Sequence, residues 1–148
     1  MMQYYLDMPP YDFDQSDNGW RSLSNYREKY EAIIEYLDIN LDEKGNWKNG
    51  DDFGPFIMYF HVAQCMAQDK REVQACEYLV KAYKDKIVES NLRWNLYVQA
   101  TEFFLLRQKR QLQELYDEHG KNILNWKIIR NMLNNFHKTY YEVYRIED

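Results

Sequence analysis

Three side chains come nearest to a metal-binding pattern. His61 and Cys65 stand four residues apart, on one face of a helix if the segment is helical, and Cys76 follows on the next element. Imidazole and thiolate at that spacing can share a zinc ion. A zinc site needs a fourth ligand, and none is in view. Free cysteine behaves more often as a small apolar filler, so no metal is expected. Paired carboxylates occur at Asp51-Asp52 and at Asp12 with Asp14. Acid–base work needs two carboxyls held in a cleft with separated pKa values. These lie in a loop and a tail, where solvated surface or helix capping is expected. His119 beside Gly120 reads as a helix end, and His137 sits in an aromatic helix. The P-loop, the dinucleotide glycine triad, G-x-S-x-G, H-E-x-x-H and C-x-x-C are all missing. No catalytic residue, cofactor or enzymatic activity is expected.

Composition narrows the setting. The 148 residues include five glycines and three prolines, so loops must be few and short. That length suits one domain able to bury a core. Two cysteines are too few for a disulfide scaffold and read as reduced thiols of a cytoplasmic protein. The start, Met1-Met2-Gln3-Tyr4-Tyr5-Leu6-Asp7, lacks a basic region followed by a continuous apolar one, so no secretory leader is expected. No apolar run approaches the ~20 residues of a membrane helix. Net charge is −5, and the acids crowd into the first 55 residues, which carry 12 acidic and 5 basic side chains. An acidic chain is a poor candidate for a phosphate backbone, so no nucleic acid is expected, and the missing apolar run leaves no membrane partner expected either. The one basic concentration, Arg107-Gln108-Lys109-Arg110, falls where a helix should end and complements its dipole.

The elements that must position these residues are helical throughout. Residues 1–18 hold Pro9-Pro10, and no regular element is expected there; they form an acidic, aromatic tail, mobile or folded back through Tyr4, Tyr5, Leu6 and Phe13. Leu23, Tyr26, Tyr30, Ile33, Leu37 and Leu41 predict a first helix from about Trp20 to Leu41. A polar loop follows, with Trp47 as its exposed aromatic. Pro55 opens a second helix that runs to about Gln68. Asp69 with Glu72 makes a capping box for a third, whose buried face is expected to be Val73, Cys76, Val80, Tyr83 and Ile87. The fourth begins at Ser90-Asn91 and is apolar nearly all round, hence central. A short fifth covers about Arg110 to Glu118, and the last runs from about Ile123 to Tyr144. The fold class is all-α: about six helices in stacked antiparallel pairs forming a single domain, a tail over 1–18 and a helical body over 19–148.

Tyr59, Val62, Ala63, Met66, Ala75, Leu79 and Ala82 follow a 3-1-3-9-4-3 spacing of large and small residues. Small residues let two antiparallel helices approach, and large ones fill the space beside them. In this spacing residues 55–118 resemble the tetratricopeptide repeat. Ala63 stands where the family usually has glycine, Met66 where it has tyrosine, and Ile87 at the closing proline. A shift of 34 residues sets Leu96 on Val62 and Ala100 on Met66. The same shift brings the polar stripe His61, Gln64 and Gln68 near the stripe Asn95, Gln99 and Glu102. The resemblance implies a right-handed superhelix, or a small orthogonal bundle, whose concave groove receives a protein or peptide. Those six residues and Trp47 are the candidate partner-binding set. The expected function is non-catalytic protein binding. An acidic inhibitor, antitoxin or immunity-type protein that neutralises a basic partner such as a nuclease is the alternative. An enzyme with an unrecognised helical site is the third choice. Self-association is compatible with each.

Overall fold

The computed structural model describes residues 3–147; Met1, Met2 and Asp148 lie outside the described residues. Among the described residues there are nine α-helices and four 3-10 turns, and no strand occurs. The chain is all-α. The order is α1 Gln3–Leu6, α2 Pro10–Gln15, α3 Tyr26–Asn40, α4 Phe56–Gln68, α5 Glu72–Leu79, α6 Leu92–Leu105, α7 Lys109–His119, α8 Trp126–Asn134 and α9 Tyr140–Tyr144. The six expected helices map onto α3 to α8 with α9.

The first difference is that the tail is helical; of the two expected arrangements it takes the folded-back one. Phe13 is fully buried and stacks on Tyr36 with ring centroids 4.0 Å apart. The Tyr36 hydroxyl donates to the Met8 carbonyl, and the Asn40 amide reaches the Leu6 carbonyl. Gly19 permits the close return of the chain, since a Cβ there would collide with the Phe13 carbonyl. Pro10 sits at the first position of α2, where its missing N–H costs nothing.

The expected first helix is interrupted. A 3-10 turn, Trp20–Ser22, is followed by an extended Leu23, and Asn25 caps α3 by accepting from the Glu28 amide at 2.8 Å. Trp47 is a further correction: it is 5% exposed, its indole donates to the Phe53 carbonyl, and its ring meets Tyr36 edge-on. Its isolation in a polar loop concealed this, because an antiparallel bridge between Leu41 and Trp47 folds the loop back onto the core.

Helix α4 lies against α3 and α5, and α6 lies against α5, α7 and α8. Val62, Ala63, Met66, Ala75, Leu79 and Ala82 are all buried between their helices. The expected buried face of α5 holds only in part: Cys76 and Tyr83 are half-buried against the core, and the other three residues are not. Val73 is 71% exposed, Val80 65% and Ile87 92%. Close approach to α4 favours the alanines, so the larger β-branched side chains point outward. Asp69 does not cap α5 either; Arg71 holds the N-cap position, with no side-chain bond.

Helices α4 and α6 end in the same turn. Lys70 and Arg107 adopt the left-handed conformation, with φ of 63° and 59°. Arg71 N–H bonds Met66 C=O and Gln108 N–H bonds Phe103 C=O, each at 2.8 Å, the six-to-one bond of a Schellman motif. The hairpins α4–α5 and α6–α7 therefore correspond at 37 residues, Lys70 to Arg107, rather than at 34. The expected final helix is likewise divided, with Asn135 closing α8 and Thr139 opening α9 through a complete capping box.

Candidate functional site

The first polar stripe clasps both chain ends. His61, Gln64 and Gln68 share one face of α4, and each meets a residue distant in sequence. His61 Nδ1 lies 2.8 Å from Asp14 Oδ1. The Gln64 amide donates to the Tyr140 hydroxyl at 3.3 Å. Gln68 Oε1 accepts from Arg145 at 2.6 Å, and Arg145 also donates to the Tyr26 hydroxyl and the Tyr141 carbonyl. Asp14, expected as surface or cap, is fully buried in α2 and also accepts from the Trp20 indole at 3.0 Å and from the Gln15 amide. Burial opposes ionisation of this carboxyl. The His61, Trp20 and Gln15 hydrogen bonds and the His61 charge outweigh burial, and the pKa lies below the ordinary 3.8.

The second stripe divides. Asn95 is buried and pairs reciprocally with the backbone of Lys84, accepting at 2.8 Å and donating at 3.1 Å. It thereby fixes the strand of coil after Ala82 to α6. Gln99 and Glu102 are half-buried. Burial raises the Glu102 pKa, and Lys86 partly offsets that.

The two stripes do not form one groove. Gln64 and Gln68 line a pocket of about 310 Å3 between α3, α4 and α9. Asn95 and Gln99 line another of about 210 Å3, with Tyr83, Lys86, Leu92 and Leu96. The reason is the register. Three residues turn a helix by about 300°, a net displacement of about 60° around its face, so moving the offset from 34 to 37 takes the two stripes out of line. In the observed register Gln99 matches Val62, and Gln64 matches Thr101. Trp47 belongs to neither pocket, being core.

Among the described residues no group of three or more His, Cys, Asp or Glu is placed to hold a metal ion. Both cysteines are free thiols. Burial raises Cys65 to about 12 and Cys76 to about 11, so both are protonated at neutral pH. No helix among the described residues is long and apolar enough to cross a membrane.

Several long-range contacts that hold the helices together had no signal in the sequence. Arg107 lies at the end of α6, as expected, but its guanidinium donates to the Phe136 and Lys138 carbonyls at 3.0 Å and pairs with Glu72. Glu72 also accepts the Tyr140 backbone N–H at 3.2 Å. One ion pair thus joins α5, α6 and the α8–α9 turn. Such partners are separated by 29 to 68 residues, beyond any local periodicity.

No protein-family model, curated protein or solved structure matches the chain.

Proposed function

We propose that the chain is a non-catalytic protein–protein interaction module of tetratricopeptide-like helical pairs. The observation that carries this is the outward face of α5 and the coil beyond it. Val73, Val80 and Ile87 are each more than half exposed, and Leu92 at the start of α6 is 46% exposed. Single exposed apolar residues need no explanation; the run from Val73 in α5 through Val80 in the turn after it to Ile87 in the coil is taken as a contact surface. Beside it, the pocket lined by Tyr83, Leu92 and Gln99 supplies an anchor point with polar edges. The partner is a protein or peptide offering apolar side chains, and a second copy of the chain is one form it can take. The buried repeat-like positions carry less weight, because any tight helical hairpin buries small residues the same way. Free, protonated Cys65 and Cys76 agree with a reducing cytoplasmic setting.

The test uses Val80→Glu with Ile87→Glu, two changes at positions the fold leaves open. Crosslinking in native cells, with sedimentation velocity of the pure protein, should detect an associate of the wild type that the double variant loses. Its melting temperature should stay within a few degrees. Identical crosslinked species from both proteins would sink the proposal.

A second function, inhibition of a basic partner by an acidic surface, draws on Glu28, Glu31 and Asp38, exposed along α3. It requires association that weakens steeply with salt; salt-independent binding to the apolar α5 face would favour the first.

A further inference from the structure

We propose that the pocket between α3, α4 and α9 binds an aryl phosphomonoester. This site is separate from the α5 face, and neither depends on the other. Three cations, Arg21, Lys29 and Arg145, line one recess in a chain whose net charge is −5. Among the described residues no carboxylate lies within ion-pair distance of any of the three. The nearest buried acid, Asp14, is fully enclosed and spends its oxygens on His61, Trp20 and Gln15.

Neutral groups hold the cations in place without cancelling their charge. Arg21 Nε donates to the Asp14 backbone carbonyl at 2.9 Å, and its guanidinium lies 4.3 Å from the Trp20 ring centre. Arg145 is fixed by an amide, a carbonyl and a hydroxyl, and rests 3.4 Å from the centre of Tyr141. Lys29 lies 5.6 Å from the centre of Tyr26. Each guanidinium has five N–H donors, so both keep donors for a ligand. Rings hold these charges by cation–π attraction at modest cost in entropy. At the floor, Cys65 contributes a protonated thiol and no negative charge.

The number of cations selects the anion. A carboxylate presents two oxygens and one charge. A phosphomonoester presents three terminal oxygens and nearly two charges, enough to engage Arg21, Lys29 and Arg145 together. The pocket, at about 310 Å3, has room beyond a bare phosphate. Tyr26 and Tyr144, which keep exposed surface, supply walls on which a ring can lie, and the buried Trp20 backs the recess. A free aromatic phosphate and a phosphotyrosine side chain share this chemistry.

The experiment titrates phenyl phosphate, inorganic phosphate, phenylacetate and a blocked Gly-phosphotyrosine-Gly peptide into the full chain. Calorimetry gives affinity, and nitrogen–proton NMR follows the Trp20 indole. Phenyl phosphate is expected to saturate and to shift the Trp20 signal, at least about tenfold tighter than inorganic phosphate or phenylacetate, about 1.4 kcal/mol. Arg21→Ala with Lys29→Ala should weaken it at least about tenfold while the melting curve holds. Lys29→Glu is a second variant that should abolish binding, should the first fold poorly. A peptide tighter than phenyl phosphate supports the proposal with a protein-borne ester, and a weaker one supports it with a free ester. No saturation below about 10 mM, equal affinity for phenylacetate or inorganic phosphate, or unchanged binding by folded Lys29→Glu would each overturn it.

Discussion

Asp14 is a carboxylate with no exposure to water, held by an imidazole, an indole and an amide. Its folded pKa is depressed, so its contribution is present above the unfolded value of 3.8 and is lost as pH falls through the folded value. Asp14→Ala leaves the Trp20 N–H and the His61 ring without their acceptor and should cost about 3 kcal/mol at pH 7. Urea unfolding at a series of pH values checks this. The wild type should lose stability below pH 3.8 more steeply than the variant, and parallel profiles would refute the role. In sequence Asp14 resembles its neighbour Asp12, which is exposed. Nothing local separates them, because the distinction is made by His61, 47 residues away.

At the scale of the elements, the two left-handed turns make opposite predictions for one substitution. Lys70 is exposed, and its side chain makes no hydrogen bond in the turn. Glycine there removes the Cβ penalty of positive φ, and Lys70→Gly should stabilise by about 0.5–1 kcal/mol. Arg107 holds the same φ, yet its guanidinium ties two carbonyls and Glu72. Arg107→Gly should therefore destabilise by about 1–2 kcal/mol. Thermal melts of the two variants moving in the same direction would contradict this division of roles. Neither turn contains glycine, so the sequence carried no C-cap signal. The existence of α4, α5, α6 and α7 was readable from apolar spacing all the same. The buried side of α5 was not, because hydrophobicity favours Val73 and Val80 whereas close packing favours Ala75 and Ala82.

Across the whole molecule, both chain ends close on α4. Phe13, Asp14 and Trp20 cover one part of its polar face, and Tyr140 and Arg145 cover another. Removing residues 1–24 strips Phe13 and Trp20 from the core and uncovers His61. Urea unfolding should then show a loss of at least about 4 kcal/mol. An unchanged midpoint would mean that the segment is an attachment rather than part of the core. The composition of residues 1–18 left a mobile tail and a folded-back segment equally open, and Phe13 packing on Tyr36 with the enclosure of Asp14 gives that segment a structural role.

The all-α class, the approximate places of α4 to α7 and the small-residue contact between α4 and α5 were legible in the sequence. Each follows from periodicity and residue size within a few turns of one helix. Tertiary structure alone decided the rest: the helical N-terminus, the burial of Trp47, the outward face of α5 and the fate of the polar stripes. Those depend on which distant group supplies a hydrogen bond or fills a space. With the hairpins in a register three residues from the expected one, Gln64 and Gln68 line one pocket, with three cations, and Asn95 and Gln99 line another.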